Sequence, residues 1–240
     1  MIFRNVYVQY EDMPYRKVIL AKDQIYHIYN RGVARLPIFY ARRDYLRFLS
    51  LTDYYRFINA PMSYSRFIKL AKEDRNKILQ DLMKEDKLLV ELFVFCLMPN
   101  HYHFLMKQLT EKGISTFMSN LQNSYAKYLN IKNDRVGPLF QSMFKAVRIE
   151  SDEQLIHVSR YIHLNPSTGY LVEPENLLDY PWSSLEIYLK DEFRDGNFVQ
   201  TKFILDYFKN KQDYHRFILD QADYQRELAN IKHITLENNP

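Results

Sequence analysis

The stretch that most constrains this chain is Leu88 to Met98, LLVELFVFCLM, a nearly continuous apolar run that ends at Pro99-Asn100, a turn signal. It reads as a strand, since a membrane span needs about 18 apolar residues or more. His101 to Lys107, HYHFLMK, resumes as a second strand. The two make a β-hairpin with Pro99-Asn100 at its turn. The remaining elements fall on either side of it. Gln24 to Arg31, QIYHIYNR, is rich in β-formers and stops at Gly32, so it reads as a strand. Asp44 is placed to cap a helix through about Ile58, with Tyr45, Phe48, Leu49 and Leu51 at helical spacing, until Pro61 breaks it. Ser63 to Asp86 is charge-rich and helical in period, with Phe67, Ile68, Ile78, Leu79 and Leu82 as its apolar members. Ile114, Phe117, Met118, Leu121, Tyr125, Tyr128 and Leu129 recur at three- and four-residue steps and mark another helix. After a turn over Asn133 to Pro138, Phe144 to Ile149 reads as a strand. Asp152 then caps a helix to about Asn165, where Pro166 ends it. Pro181-Trp182-Ser183-Ser184 starts a short helix, and two more are expected over Lys202 to Lys232.

The order predicts a βαββαβ-type core with an additional helix. The fold class is α+β, one antiparallel sheet with helices on its faces. The 240 residues suffice for one sizeable core, or one core plus a small appended region, and 47% are hydrophobic. Only 5 are glycine, and neither GxGxxG nor GxxxxGK[ST] occurs, which sets aside nucleotide-binding loops of those kinds. The single cysteine, Cys96, lies inside the apolar run and reads as a buried small hydrophobe. It permits neither an intrachain disulfide nor a zinc knuckle. Met1 to Asp12 carries charge throughout and has no apolar core, so no signal peptide is expected; with no long apolar stretch, neither is a membrane partner, and a cytoplasmic protein follows. The net charge of +4 permits a nucleic-acid partner without requiring one. The 20 tyrosines and 16 phenylalanines, interleaved with Arg and Lys, suit stacking on unpaired bases, yet composition alone favours a role in the core and its rim.

Chemistry enters with His101 and His103. Alternate residues of a strand point to one face, so both imidazoles can reach one point above the sheet, while Tyr102, Phe104 and Met106 point into packing. Two convergent histidines make a metal half-site, although an isolated pair on a strand is more often surface decoration. On the helix from Asp152, Leu155, Val158 and Ile162 form the buried stripe. His157, Tyr161 and Asn165 form a separate polar face at four-residue steps. Tyr161 alone reads as a rim tyrosine. Taken with the histidines it reads as a nucleophile. A phenol, with a pKa of about 10, attacks phosphorus only if the phosphate is polarised and the attack is in line. A divalent ion held by two His and a side-chain amide polarises a phosphate, and Asn165 is placed to complete such a shell. The covalent intermediate splits one exchange into two easier steps and conserves bond energy, so a DNA 3′-OH can reverse it.

These residues lie in motifs that carry a family resemblance. YHIYNRG at Tyr26 to Gly32, LMPNHYHFLM at Leu97 to Met106, YAKYLN at Tyr125 to Asn130, GPLFQSMFKA at Gly137 to Ala146, RYIHLNP at Arg160 to Pro166 and PWSSLEIY at Pro181 to Tyr188 occur in family order. The chain resembles the HUH-type single-tyrosine transposases of the insertion-sequence 200-like family, and within them the REP-associated tyrosine transposases. The resemblance implies a ferredoxin-like catalytic domain over residues 24–190. A helical insertion near 63–86, an N-terminal extension over 1–23 and a helical C-terminal extension over 191–240 complete the chain. It implies a metal-dependent DNA transposase that cleaves and rejoins single-stranded DNA near hairpin or palindromic sequences through a 5′-phosphotyrosine. Tyr161 is then the catalytic residue. His101 and His103 hold Mg²⁺ or Mn²⁺ with Asn165 as third ligand, a position where related transposases often carry Gln. Mn²⁺ suits two imidazoles better than oxygen-loving Mg²⁺. Tyr125 also lies in a family motif, but it falls on an apolar stripe and is the decoy.

His27 and His157 are candidates for a supporting shell or proton relay, and His163 points elsewhere. Arg31, Arg42, Arg43, Lys145 and Arg148 are candidate phosphate contacts. The 63–86 insertion reads as a DNA-hairpin clamp or a neutral elaboration. The first dozen residues find no family counterpart, which makes Met13 a candidate start. Three rivals stand beside this reading. One is a silent hairpin-binding regulator of the same fold. Another is a replication-initiation or relaxase-type nickase, which fits the surroundings of Tyr161 poorly. The last is an unrelated metallohydrolase, which lacks a further His or carboxylate at suitable spacing. Both a monomer and a homodimer are compatible with the pattern.

Overall fold

The computed structural model describes residues 18–190, 198–220 and 222. Met13 and the end of the expected C-terminal helices lie outside the described residues. Four strands, β1 (Ile25–Arg31), β2 (Val90–Met98), β3 (His101–Gln108) and β4 (Lys145–Arg148), form one sheet in the order β2-β3-β1-β4. Every neighbouring pair is antiparallel. Three helices join β1 to β2: α1 (Arg42–Tyr55), α2 (Tyr64–Phe67) and α3 (Lys72–Glu85). The long helix α4 (Gly113–Lys132) joins β3 to β4, and α5 (Asp152–Thr168) follows β4. This is the expected βαββαβ core with its additional helix, and its sheet order is ferredoxin-like. Three short helices close the described chain: α6 (Leu185–Leu189), α7 (Lys202–Leu205) and α8 (Lys211–Leu219).

Strand alternation assigns the two faces. Tyr26 and Ile28 of β1 lie opposite Met106 and Phe104 of β3 and are buried beneath α1 and α4. Phe48 of α1 packs against Tyr102, Phe104 and Tyr125 there. The opposite face presents His27, Tyr29 and Arg31 from β1 beside His103 and His101 from β3, and α5 crosses it. The apolar run explains itself in this arrangement. β2 is terminal in the sheet, yet all of it but Glu91 is buried. Its outer edge is covered by later chain: Leu97 N–H donates to the Trp182 carbonyl at 2.8 Å, Ser184 N–H to the Phe95 carbonyl at 3.0 Å and Gln200 N–H to the Leu92 carbonyl at 2.8 Å. A strand covered on both faces and along its edge leaves few places for polar residues.

The helical 63–86 segment divides into two helices, α2 and α3, at Ile68 to Ala71, and of its expected apolar members only Phe67 and Leu82 are buried. Two local expectations are corrected. Asp44 is not the cap of α1 but its third residue. Its buried carboxylate reaches back to the Tyr40 and Ala41 N–H groups at 3.0 Å each, while its other oxygen accepts the Tyr128 hydroxyl at 2.9 Å and pairs with Lys132 of α4. Ser151, not Asp152, caps α5, its hydroxyl accepting Gln154 N–H at 3.1 Å. That helix runs through Pro166 to Thr168. In the last turn the missing Pro N–H costs one bond, and Gly169 N–H still closes on the Asn165 carbonyl at 2.8 Å.

The exit of β1 is equally constrained. Gly32 N–H donates to the Asn100 carbonyl at 2.8 Å, and a Cβ there would lie 2.2 Å from the Leu36 carbonyl oxygen. Only glycine lets the chain turn this closely under the hairpin tip.

Candidate active site

β1, β3, β4 and the C-terminal half of α5 enclose an open cleft of about 670 Å³. His27, Tyr29, Arg31, His101, His103, Lys145, Tyr161 and Asn165 all line it. Register produces this convergence. Tyr29 stands directly opposite His103, Arg31 opposite His101, and Lys145 opposite Tyr29, so one face collects them all.

The histidines are held by distinct partners. His101 Nδ1 lies 2.6 Å from Asn100 Oδ1, which can only accept, so Nδ1 carries the proton and Nε2 keeps its lone pair. His103 is 5% exposed, and its Nδ1 lies 2.9 Å from His27 Nε2. Its Nε2 is buried and has no hydrogen-bond partner among the described residues. A buried imidazole nitrogen without a partner is costly unless something outside the chain engages it. Burial lowers the pKa of His27 to about 4; burial, with Arg31 adding to it, lowers that of His101 to about 4. Burial first, then its neighbours His27, His101 and Arg31, hold His103 well below the ordinary value. All three are therefore neutral at physiological pH, the form that ligates metal.

Tyr161 leans over this floor. Its ring meets His103 edge-on at 5.7 Å between centroids and His27 at 5.9 Å, and 41% of the residue remains exposed. Burial raises its hydroxyl pKa and Tyr29 adds to the rise, while Arg31 and the Asn165 amide oppose it. Asn165 is 6% exposed. Its Nδ2 donates to the Tyr161 carbonyl at 2.9 Å, which leaves its Oδ1 as an acceptor beside His101. The donor set of two neutral imidazoles and one amide oxygen fits a divalent cation of intermediate hardness. Among the described residues no three His, Cys, Asp or Glu side chains make a metal cluster.

Not every candidate reaches the cleft. His157 is turned toward α8, where Arg160 donates to its Nδ1 at 2.6 Å and its ring lies 5.6 Å from that of Phe217. Four residues carry a helix about 40° past a full turn, enough for α8 to take this side chain. Arg42 lines a separate hollow with Leu46, Leu49 and Trp182, and Arg43 is exposed on α1. Arg148 pairs in register with Tyr26, which puts it on the other face of the sheet, bonded to Gln24 at 2.7 Å. Tyr125 is fully buried, its hydroxyl donating to the Ile38 carbonyl at 2.6 Å. His163 is likewise buried, between the Tyr214 and Ser184 hydroxyls at 2.9 and 2.8 Å.

Sequence reasoning overlooked two members of the site. Tyr29 stacks on His103 with ring centroids 5.7 Å apart and packs at a tilt against His27 at 5.0 Å. The alternation that pairs His101 with His103 also aligns His27, Tyr29 and Arg31, so the signal was present. The sequence marks Asn100 only as a turn residue. Its side chain bridges His101 and the Arg35 carbonyl, and no local pattern announces that contact.

Comparison with known proteins agrees with this architecture. Residues 52–165 match the family model described as transposase IS200 like, a stretch that holds the hairpin, α4 and α5 as far as Asn165. No curated protein matches. The solved structure of a REP-associated tyrosine transposase bound to a REP hairpin superposes with a TM-score of 0.51 at 13% identity, over 78% of this chain and 92% of that one; at this identity the likeness is one of fold. Over that stretch the chain is similar to the IS200-like transposases, and it shares the fold of the REP-associated tyrosine transposase.

Proposed function

We propose that this protein cleaves and rejoins single-stranded DNA beside a hairpin or palindromic sequence, in the cytoplasm, with Tyr161 as nucleophile. The observation that carries the reading is the meeting of Tyr161, Asn165, His101 and His103 in one cleft, with the buried His103 Nε2 left for a ligand. The Tyr161 hydroxyl attacks the scissile phosphorus, the bond to the 3′-oxygen breaks, and the DNA 3′-OH leaves carrying a proton. The 5′ end stays on Tyr161 as a phosphotyrosine. Attack by a 3′-OH on the same phosphorus reverses the step and joins strands.

His101, His103 and Asn165 would hold Mn²⁺ or Mg²⁺, which when bound supplies Lewis-acid polarisation of the phosphate. The chain's own residues supply the rest. Arg31 and Lys145 flank the cleft as cations for the DNA backbone, and Arg31 favours the phenolate form of Tyr161. His27 orients His103 through their hydrogen bond, as Asn100 orients His101. Tyr29 closes the floor beside them. The structure of a relative bound to a REP hairpin supports DNA of that shape as the substrate class.

The test uses single-stranded DNA spanning the sequences on either side of the gene, incubated with the protein and Mn²⁺. An adduct that survives denaturation should form, disappear with chelator and be lost in Tyr161→Phe. Tight binding with no adduct under any divalent metal would instead make the protein a silent DNA binder.

A further inference from the structure

A second hollow, of about 570 Å³, lies outside the α1–α4 layer, on the opposite face of the sheet from Tyr161. One wall is the outward side of α4, with Asn120, Asn123, Ser124 and Lys127. The other is Arg47 of α1 with Ser63 and Ser65 at the start of the 63–86 insertion. That wall is fixed in place. Tyr54 donates to the Met62 carbonyl at 2.8 Å, the Tyr64 N–H donates to the Tyr55 hydroxyl at 3.0 Å, and the Tyr54 and Phe67 rings pack at 4.7 Å.

The Arg47 guanidinium is held between two aromatic rings, 4.4 Å from Tyr64 and 5.1 Å from Tyr128. Its Nε is buried with no hydrogen-bond partner among the described residues. Stacking of this kind fixes the direction of the fork without using its donors. Lys127 is exposed and makes no ion pair among the described residues. The carboxylate behind the hollow, Asp44, is fully buried and already engaged by Lys132, Tyr128 and two backbone N–H groups. The lining thus offers one fixed guanidinium, an exposed ammonium, short amides and hydroxyls, and no carboxylate. That donor set matches the phosphodiester backbone of a nucleic acid.

We propose that this hollow is an accessory binding site for the DNA backbone, built by the 63–86 insertion against α4. It would engage a length of DNA beyond the part that fills the cleft. The inference rests on the proposed reading of the cleft as a DNA site. Because the two sites lie on opposite faces, a short oligonucleotide fills one of them, while a longer strand can pass around the molecule to both.

The test pairs two measurements on the full chain with fluorescent oligothymidylate probes of about 8 and about 40 nucleotides. The first is the salt dependence of binding. For the long probe, Lys127→Ala and Arg47→Met should each weaken binding and lower the slope of log K against log salt by about 1, and leave the short probe unchanged. The second is crosslinking. Cys96 is fully buried, so Ile131→Cys gives a selectively reactive thiol at the rim of the hollow, where Ile131 is exposed. A photoreactive label there should crosslink the long probe. An unchanged salt slope in both variants, or no crosslink, overturns the proposal. Wild-type protein that binds neither probe and forms no adduct overturns the cleft reading with it. Adduct formation with an unchanged slope overturns the accessory site alone.

Discussion

At the scale of single residues, the site depends on side chains whose partners are far away in sequence. His27 and His103 are separated by 76 positions and meet at 2.9 Å because β1 and β3 pair. With His103 Nε2 as a ligand, its Nδ1 donates to His27 Nε2. Substituting His27→Leu removes that acceptor and should weaken Mn²⁺ binding about 10–100-fold by calorimetric titration, the usual cost of losing such a support. His27→Gln, which keeps an acceptor, should recover part of the loss; equal affinity in all three proteins would remove His27 from the site. Tyr125 makes the opposite case. Tyr125→Phe deletes one buried hydrogen bond and should cost about 1 kcal/mol in urea unfolding while adduct formation continues. An inactive but folded Tyr125→Phe would reopen the choice of nucleophile. Alternation along a strand made the facing of His101 and His103 legible, and helical spacing did so for Tyr161 and Asn165. The His27–His103 bond and the Asn100–His101 bond were not, because each depends on a through-space partner that no local period encodes.

At the scale of elements, α5 matters most, since it carries both Tyr161 and Asn165. A line of neutral hydrogen bonds pins it. The Phe95 N–H of β2 donates to the Ser184 hydroxyl, and His163 links that hydroxyl to Tyr214 of α8, which donates to Ser159 of α5. Burial lowers the His163 pKa to about 3. Its unfolded value is near 6.5, so below that pH the unfolded chain binds a proton that the folded chain refuses. Stability is complete above about pH 6.5 and should fall as pH drops toward 3, by about 1.4 kcal/mol per pH unit from this residue. His27 and His101, lowered to about 4, act in the same direction. Urea titrations in chelator at several pH values should show this slope, and His163→Gln should make it shallower. A flat profile between pH 6.5 and 4.5 would mean that these rings are not buried neutral.

Element boundaries were less legible than element types. Ser151 and Asp152 are both good caps in adjacent positions, and only the extended backbone at Ser151 decides between them. Pro166 read as a stop because its effect depends on how many turns remain. The 63–86 segment kept a helical period across the break that divides it.

At the scale of the whole molecule, the sheet divides the labour. One face is a hydrophobic layer under α1 and α4, and the other holds the polar cleft under α5. The apolar run that dominates the sequence ends up between them, with its edge sealed by the Trp182 to Ser184 segment and by Gln200. The order of strands was foreshadowed by the βαββαβ succession. The sealing of β2 was not, because it is made by irregular chain about 90 residues later, where the PWSS stretch signals only the start of a helix. No described helix is long and apolar enough to cross a membrane. In the proposed reaction one particular hydroxyl among 20 tyrosines becomes bonded to DNA. The most direct measurement is to trap the denaturation-resistant adduct formed with Mn²⁺, digest it with protease and nuclease, and locate the nucleotide-bearing peptide by mass spectrometry. The expected result is a phosphonucleotide on Tyr161 alone, absent in chelator. A nucleotide on Tyr29, Tyr125 or any other residue, or cleavage of the DNA with no protein-linked product, would contradict it.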